Sequence, residues 1–142
     1  MTSPHSVLLV AHHERSEVAS VARRVADWFT AHGYRPWLTP ADASATGLDS
    51  LASAEHPATA GLAVSLGGDG TVLRTVHLLE GAGVPVLGVN LGTLGYLTEV
   101  EPAGLDGALE RWLAGPERGN WSLEERMMLD LSVHRQIGRA HV

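Results

Sequence analysis

The stretch Val64-Ser65-Leu66-Gly67-Gly68-Asp69-Gly70-Thr71-Val72-Leu73-Arg74 decides how the rest of the chain is read. An apolar run stops at two glycines. An aspartate and a third glycine follow, and then a pattern of helical period begins. Glycine tolerates positive φ and lets a ligand approach the main chain closely. N–H groups freed in such a turn, with the positive end of the next helix behind them, form a cradle for phosphate. A carboxylate in that cradle is electrostatically unfavourable unless it meets a cation or accepts a proton. The plainer reading is a strand–turn–helix corner in which Gly-Asp-Gly is turn chemistry alone.

On either side of this corner the same alternation repeats. Ser6-Val7-Leu8-Leu9-Val10-Ala11 reads as a fully buried strand of a parallel sheet, with His12 and His13 at its end. Adjacent histidines do not face one way on a helix or strand, so they read as loop residues near a site or as plain surface. From Glu14 a helix fits, with Val18, Val21, Ala22, Val25, Trp28 and Phe29 on one face and Gly33 at its end. Arg35 to Thr39 is a short strand whose Pro36 favours an edge position. Pro40 to Pro57 reads as a loop with one helical turn around Leu48 to Ala54. Gly61 to Ser65 is the strand that delivers the glycine corner. Thr71 to Glu80 then reads as a helix with Val72, Leu73, Val76 and Leu79 inward, and Val84 to Val89 as a further strand.

A second glycine-rich stretch, Gly88-Val89-Asn90-Leu91-Gly92-Thr93-Leu94-Gly95-Tyr96-Leu97-Thr98-Glu99, fits neither a helix nor a simple strand. Gly104 to Leu113 is an amphipathic helix with Leu105, Ala108, Leu109, Trp112 and Leu113 on its face, closed by Gly115-Pro116. Trp121 to Val133 alternates in places and reads as one or two strands. Strands alternating with helices imply an α/β fold with a doubly wound parallel sheet. The residues after the strands, His12–His13, Gly67–Thr71 and Asn90–Gly95, are then expected to converge in one crevice, where such folds bind ligands.

Composition narrows the chemistry. The 142 residues are enough for a domain with a real core. A net charge of −6 offers no broad basic surface to nucleic acid. All ten basic residues are arginine, so a Walker-type phosphate lysine is excluded within this sequence. With no cysteine, disulfides, thiolate metal sites and cysteine nucleophiles are excluded as well. No secretory signal is visible, and no apolar run approaches the ~20 residues that span a bilayer. A soluble cytoplasmic protein without membrane or nucleic-acid partners is the expectation.

Two glycine corners at this spacing are far more specific than one, and the chain resembles the NAD kinase family over about residues 5–135. Gly67-Gly68-Asp69-Gly70-Thr71 with Leu73-Arg74 looks like that family's first motif, and Gly88 to Leu97 like its second. The family commonly has Phe where Tyr96 stands and frequently Arg where Thr93 stands. Glu124-Glu125-Arg126-Met127-Met128-Leu129 resembles the lead into its second domain. Diacylglycerol and sphingoid-base kinases share the first motif, and phosphofructokinases have a relative of it. The lipid kinases typically carry a Pro-Leu-Gly-Thr-Gly-Asn type of loop in place of the second, and this chain does not. A lipid kinase-like domain and an inactive nucleotide-binding half-domain are the alternatives.

The resemblance implies a Rossmann-like α/β nucleotide-binding domain over 1–118, the start of an all-β domain over 119–135, and phosphoryl transfer from ATP, or polyphosphate in some bacterial members, to the adenosine 2′-hydroxyl of NAD. Asp69 is then the candidate general base. Gly67, Gly68 and Gly70 leave room for phosphate oxygens, and Mg²⁺ offsets the local negative charge. Arg74, one turn beyond Thr71, reaches an NAD phosphate or lies on a solvated face. Thr71 binds at the corner or caps the helix, Asn90 lines the nucleotide pocket, and Tyr96 lines it or belongs to the core. No metal-ligating residue is singled out. The partners implied are nucleotides, with self-association into a homo-oligomer at full length.

The family's second domain carries an Asn-Glu pair that holds the NAD ribose, and no such pair occurs here. The tail 136–142 breaks the strand pattern, and its last six residues can be back-translated into a common sequencing-adapter stretch. The expectation is a truncated member of the family with a non-native tail, inactive alone.

Overall fold

Side-chain alternation along two apolar runs builds a sheet that is buried on both faces. The computed structural model describes residues 3–14, 16–92 and 95–126. Strands β1 (Ser3–Ala11), β2 (Arg35–Trp37), β3 (Ala60–Gly67) and β4 (Val86–Asn90) form a parallel sheet in the order β2-β1-β3-β4. Val7, Leu9 and Ala11 of β1 and Leu62, Val64 and Leu66 of β3 point to one face. There they pack against α1 (Val18–Ala31), α2 (Pro40–Thr46) and α4 (Leu105–Ala114) through residues such as Phe29, Ala43 and Leu109. Leu8, Val10 and Ala63 point to the other face and meet Leu79 of α3 (Asp69–Leu79). Period-two alternation with both sides apolar requires helices on both faces. The expected doubly wound architecture is what the chain adopts.

The strand order also fixes where a crevice opens. The chain leaves β1 toward the β2 edge and leaves β3 toward the β4 edge. The turns that follow β1 and β3 therefore diverge between two adjacent strands, at the topological switch point where such sheets bind ligands. Edge strand β2 carries Pro36 where a missing N–H costs no ladder bond. Its Trp37 is buried, and the indole Nε1 donates to Ser6 Oγ at 2.8 Å, which satisfies the one polar group of a large apolar side chain.

Several elements differ from expectation. The segment 40–57 is not a loop with one turn. It opens with α2, whose Thr39 Oγ1 accepts from Asp42 N at 3.4 Å, whose first residue is Pro40 and whose end is Gly47 in the left-handed region at φ 71°. Each of these is a regular helix-boundary signal. The turn expected further on is present as a 3₁₀ turn at Asp49–Leu51. Helix α1 starts at Val18 rather than Glu14, and α3 starts at Asp69 rather than Thr71. Leu73 and Leu113, expected inward, are 49% and 44% exposed. On α3 the inward positions go to Thr71, Val72, Thr75 and Leu79. Residues 121–126 carry no strand. The remainder of the expected strand, 127–133, and the tail 136–142 lie outside the described residues.

Phe29 is fully buried at the centre of the larger cluster, edge-on to Tyr34 at 5.4 Å. Phe29→Ala is expected to destabilise the domain by about 3–5 kcal/mol. Urea denaturation followed by far-UV circular dichroism measures this, and an unchanged midpoint would show that the helical face is not the main core.

Candidate active site

Three strand ends are tied together at the crevice. His12 N donates to Leu66 O at 3.0 Å, and Leu91 N donates to Gly67 O at 2.7 Å. The first glycine corner thus sits between the turns after β1 and β4. Gly68, extended at φ −137°, is the residue before α3, and no side chain caps that helix. Thr71 is therefore not a cap. It is the third residue of the helix and is buried. None of Gly67, Gly68 and Gly70 adopts positive φ. Glycine is needed at 67 for proximity, because a Cβ there would overlap Thr71 Oγ1 and lie 3.1 Å from His12 Cβ. At Gly68 and Gly70 a Cβ would meet nothing within 4 Å, so the main chain of the corner faces open space. The first-turn N–H groups of Asp69 and Gly70 are uncapped by any side chain and lie beside that space, an arrangement able to take an anion.

Asp69 joins the two glycine corners. Its Oδ2 accepts from Tyr96 N and its Oδ1 from Leu97 N, both at 2.9 Å. The bond from Tyr96 N, then that from Leu97 N, holds the Asp69 carboxyl below the usual carboxylate range, against the opposing effect of desolvation and with a still smaller contribution from Thr98 N. Gly95 is fixed by the same contact, since a Cβ there would overlap the carboxylate and lie 2.6 Å from its Cγ. Asn90, paired with Gly67 across the β3–β4 ladder, does not face Asp69 through its side chain. Its amide folds onto its own loop, with Gly92 N donating to Oδ1 and Nδ2 donating to Gly92 O, both at 3.2 Å. Tyr96 is 93% exposed, which removes it from the core. Thr93 lies outside the described residues.

Arg74 is neither free nor simply solvated. Its Nη1 donates to Asp42 Oδ1 at 3.1 Å, and its Nη2 donates to Asp42 Oδ2 at 3.3 Å and also to Ala11 O. Asp42 is 1% exposed and accepts two further bonds, from Ala11 N at 2.9 Å and from His13 Nε2 at 2.6 Å. The carboxylate assigns the proton of the imidazole to Nε2. Asp42 is not a sequence-predicted site residue, because it lies in the segment whose composition reads as a loop. The signal available was Thr39-Pro40 ahead of it, which starts a helix. Among the described residues no group of three or more His, Cys, Asp or Glu is placed to hold a metal ion, and no helix is long and apolar enough to cross a membrane.

A parallel sheet covered by helices on both faces, with an uncapped, glycine-opened helix start at its switch point, defines a doubly wound α/β domain. The family model for the ATP-NAD kinase N-terminal domain matches residues 7–117. The chain belongs to the NAD kinase family. It is 38% identical to the NAD kinase of Nocardia farcinica over 145 residues, covering 89% of this chain and 44% of that protein. To the NAD kinase of Mycobacterium tuberculosis it is 38% identical over 160 residues, covering 98% and 49%. To that of Geotalea daltonii it is 40% identical over 116 residues, covering 81% and 39%. The chain thus spans somewhat less than half the length of these curated relatives.

The clamp on Asp69 has a pH signature. Its folded pKa lies below the unfolded one, so the clamp's stability is fully present above about pH 4 and is lost as pH falls through the folded value. The amide ¹H shifts of Tyr96 and Leu97 should titrate together with a midpoint below the ordinary aspartate value of about 3.9. A midpoint at or above that value would contradict the two-N–H clamp. Gly95→Ala should abolish the titration at both amides, because its methyl expels the carboxylate.

Proposed function

We propose that the protein carrying this chain transfers a phosphoryl group from ATP, or from polyphosphate, to the 2′-hydroxyl of the adenosine ribose of NAD, giving NADP. The reading is supported most by one observation: a carboxylate stands at the helix start where the two glycine corners meet, beside main chain open to phosphate. A ribose hydroxyl is a weak nucleophile and needs a positioned base. In the proposed step the hydroxyl proton passes to Asp69, the ribose oxygen bonds to the γ-phosphorus, and the bond to the bridging oxygen breaks to release ADP. The main-chain N–H groups of Tyr96, Leu97 and Thr98 use at most three of the four lone pairs of the Asp69 carboxylate, which leaves one for that proton. A carboxyl held at low pKa suits a proton transfer that comes late, when the oxygen is already bonding to phosphorus.

Gly67, Gly68, Gly70 and Thr71 form the phosphate side of the site in this reading, Asn90 shapes the turn that carries the second corner, and exposed Tyr96 is available to stack on a base. Mg²⁺, when bound with the nucleotide, would neutralise phosphate charge, and Asp69 is the carboxylate at this corner that would face it. Action on the cytoplasmic nucleotide pool and assembly into a homo-oligomer, together with a β domain that begins near residue 119, complete the proposal.

The test compares NAD with diacylglycerol as acceptor, using ATP, Mg²⁺ and the full-length protein, with products separated by thin-layer chromatography. NADP should form and phosphatidate should not. Asp69→Asn should lower kcat by about 10²–10⁴, since asparagine cannot take the proton, and should also raise KM for NAD, since its Nδ2 replaces one acceptor of the Tyr96 and Leu97 N–H groups. Phosphatidate as the product, or an Asp69→Asn enzyme within about threefold of the parent kcat, would overturn the reading.

A further inference from the structure

We propose that Asp42 is a positioning residue for nucleotide binding: its buried carboxylate holds the Arg74 guanidinium at the carboxyl edge of the sheet, ready for the phosphates of the dinucleotide. This rests on the function proposed above. Three observations carry it. Four donors, from Ala11 N, His13 Nε2 and both Arg74 Nη atoms, surround the 1%-exposed Asp42, so its oxygens are committed and it acts only through what it holds. The Arg74 side chain stays 40% exposed. Among the described residues its Nε–H and one Nη1–H have no partner, which leaves donors for an anion. The place is also right. Arg74 lies on α3 within two turns of Asp69, and Ala11 and His13 flank His12, whose Cβ borders Gly67 at the phosphate corner.

The physical gain is pre-organisation. A free arginine loses rotamer freedom when it grips a ligand, and that loss weakens binding. Here a bidentate carboxylate and the Ala11 carbonyl have already fixed the planar fork, in a geometry that a lysine could not copy. His13 adds a tether from the turn after β1, so that α2, α3 and the end of β1 share one anchor. The three residues that donate to Asp42, Ala11, His13 and Arg74, lie 29 to 32 residues from it, which is why no local motif discloses them.

The test is a double-mutant cycle in the full-length protein, with Asp42→Asn, Arg74→Ala and the pair, read as KM for NAD and kcat. Asp42→Asn should raise KM about tenfold with kcat lowered by less than about threefold, and should add nothing once Arg74 is alanine. Additive effects, or a KM within about twofold of the parent, would overturn the proposal. A second readout is the Arg74 Nη2–H resonance, which should be sharp and slow to exchange in the parent, where Asp42 Oδ2 and Ala11 O hold both of its protons, and lost in Asp42→Asn. A parent that does not phosphorylate NAD overturns the function proposed above, and this resonance then decides the positioning role alone. If Asp42→Asn does not fold, Arg74→Lys decides: it keeps the charge but not the fork and should raise KM for NAD by a similar factor. An unchanged KM there would overturn the proposal.

Discussion

Everything at the crevice depends on one carboxylate accepting two backbone N–H groups. Asp69 binds Tyr96 N and Leu97 N and thereby closes the second glycine corner onto the start of α3. The surrounding glycines follow from this closure. Gly95 leaves room for the carboxylate itself. Gly88 lets the returning chain lie against β4, where a Cβ would stand 3.1 Å from both Leu97 O and Thr98 Cα. Glu99 N and Val100 N both donate to Gly88 O and complete the return. Gly67 admits Thr71. The glycines serve close approach, to a side chain at 67 and 95 and to main chain at 88, and none of these three uses the left-handed region. The same two bonds make Asp69 a weaker base than a free aspartate and fix its position, which suits a late proton transfer.

A second carboxylate organises the other wall. Asp42 is buried, and a buried charge is tolerated only when it is paired and fully hydrogen-bonded. Its four donors meet that condition, and they come from β1, the turn after it and α3. The two aspartates divide the labour. One stands at the glycine corner on α3, and the other sits beneath the sheet edge and directs an arginine. Together they set a carboxylate and a guanidinium within two turns of one helix, each held from outside that helix.

The fold was legible because buried parallel strands are continuous apolar runs and the glycine stops are unambiguous. The convergence of His12, Gly67 and Asn90 followed from that topology alone. Helix α2 was not legible in a segment rich in Ala, Ser, Asp and Thr, whose weak hydrophobic period hid a capped seven-residue helix. With it went Asp42, and with Asp42 the partner of Arg74. Leu73 and Leu113 misled because helical phase, not hydrophobicity, decides which side chain reaches the sheet. Thr71 and Thr75 lie on the buried stripe of α3 while Leu73 does not. The bonds to Asp69 were also beyond sequence reading, since their donors are main-chain N–H groups and leave no mark in residue type. Only the demand for glycine at position 95 carried a trace of them.

Titration of NAD into the ¹⁵N-labelled full-length protein tests the central claim most directly, because the two glycine corners are held to form one nucleotide site. The account predicts shifts concentrated at the amides of Gly68, Gly70, Tyr96 and Leu97, with Ala60 and Val84 at the opposite end of the sheet unmoved. Shifts centred on Ala60 and Val84, with the glycine corners silent, would contradict it.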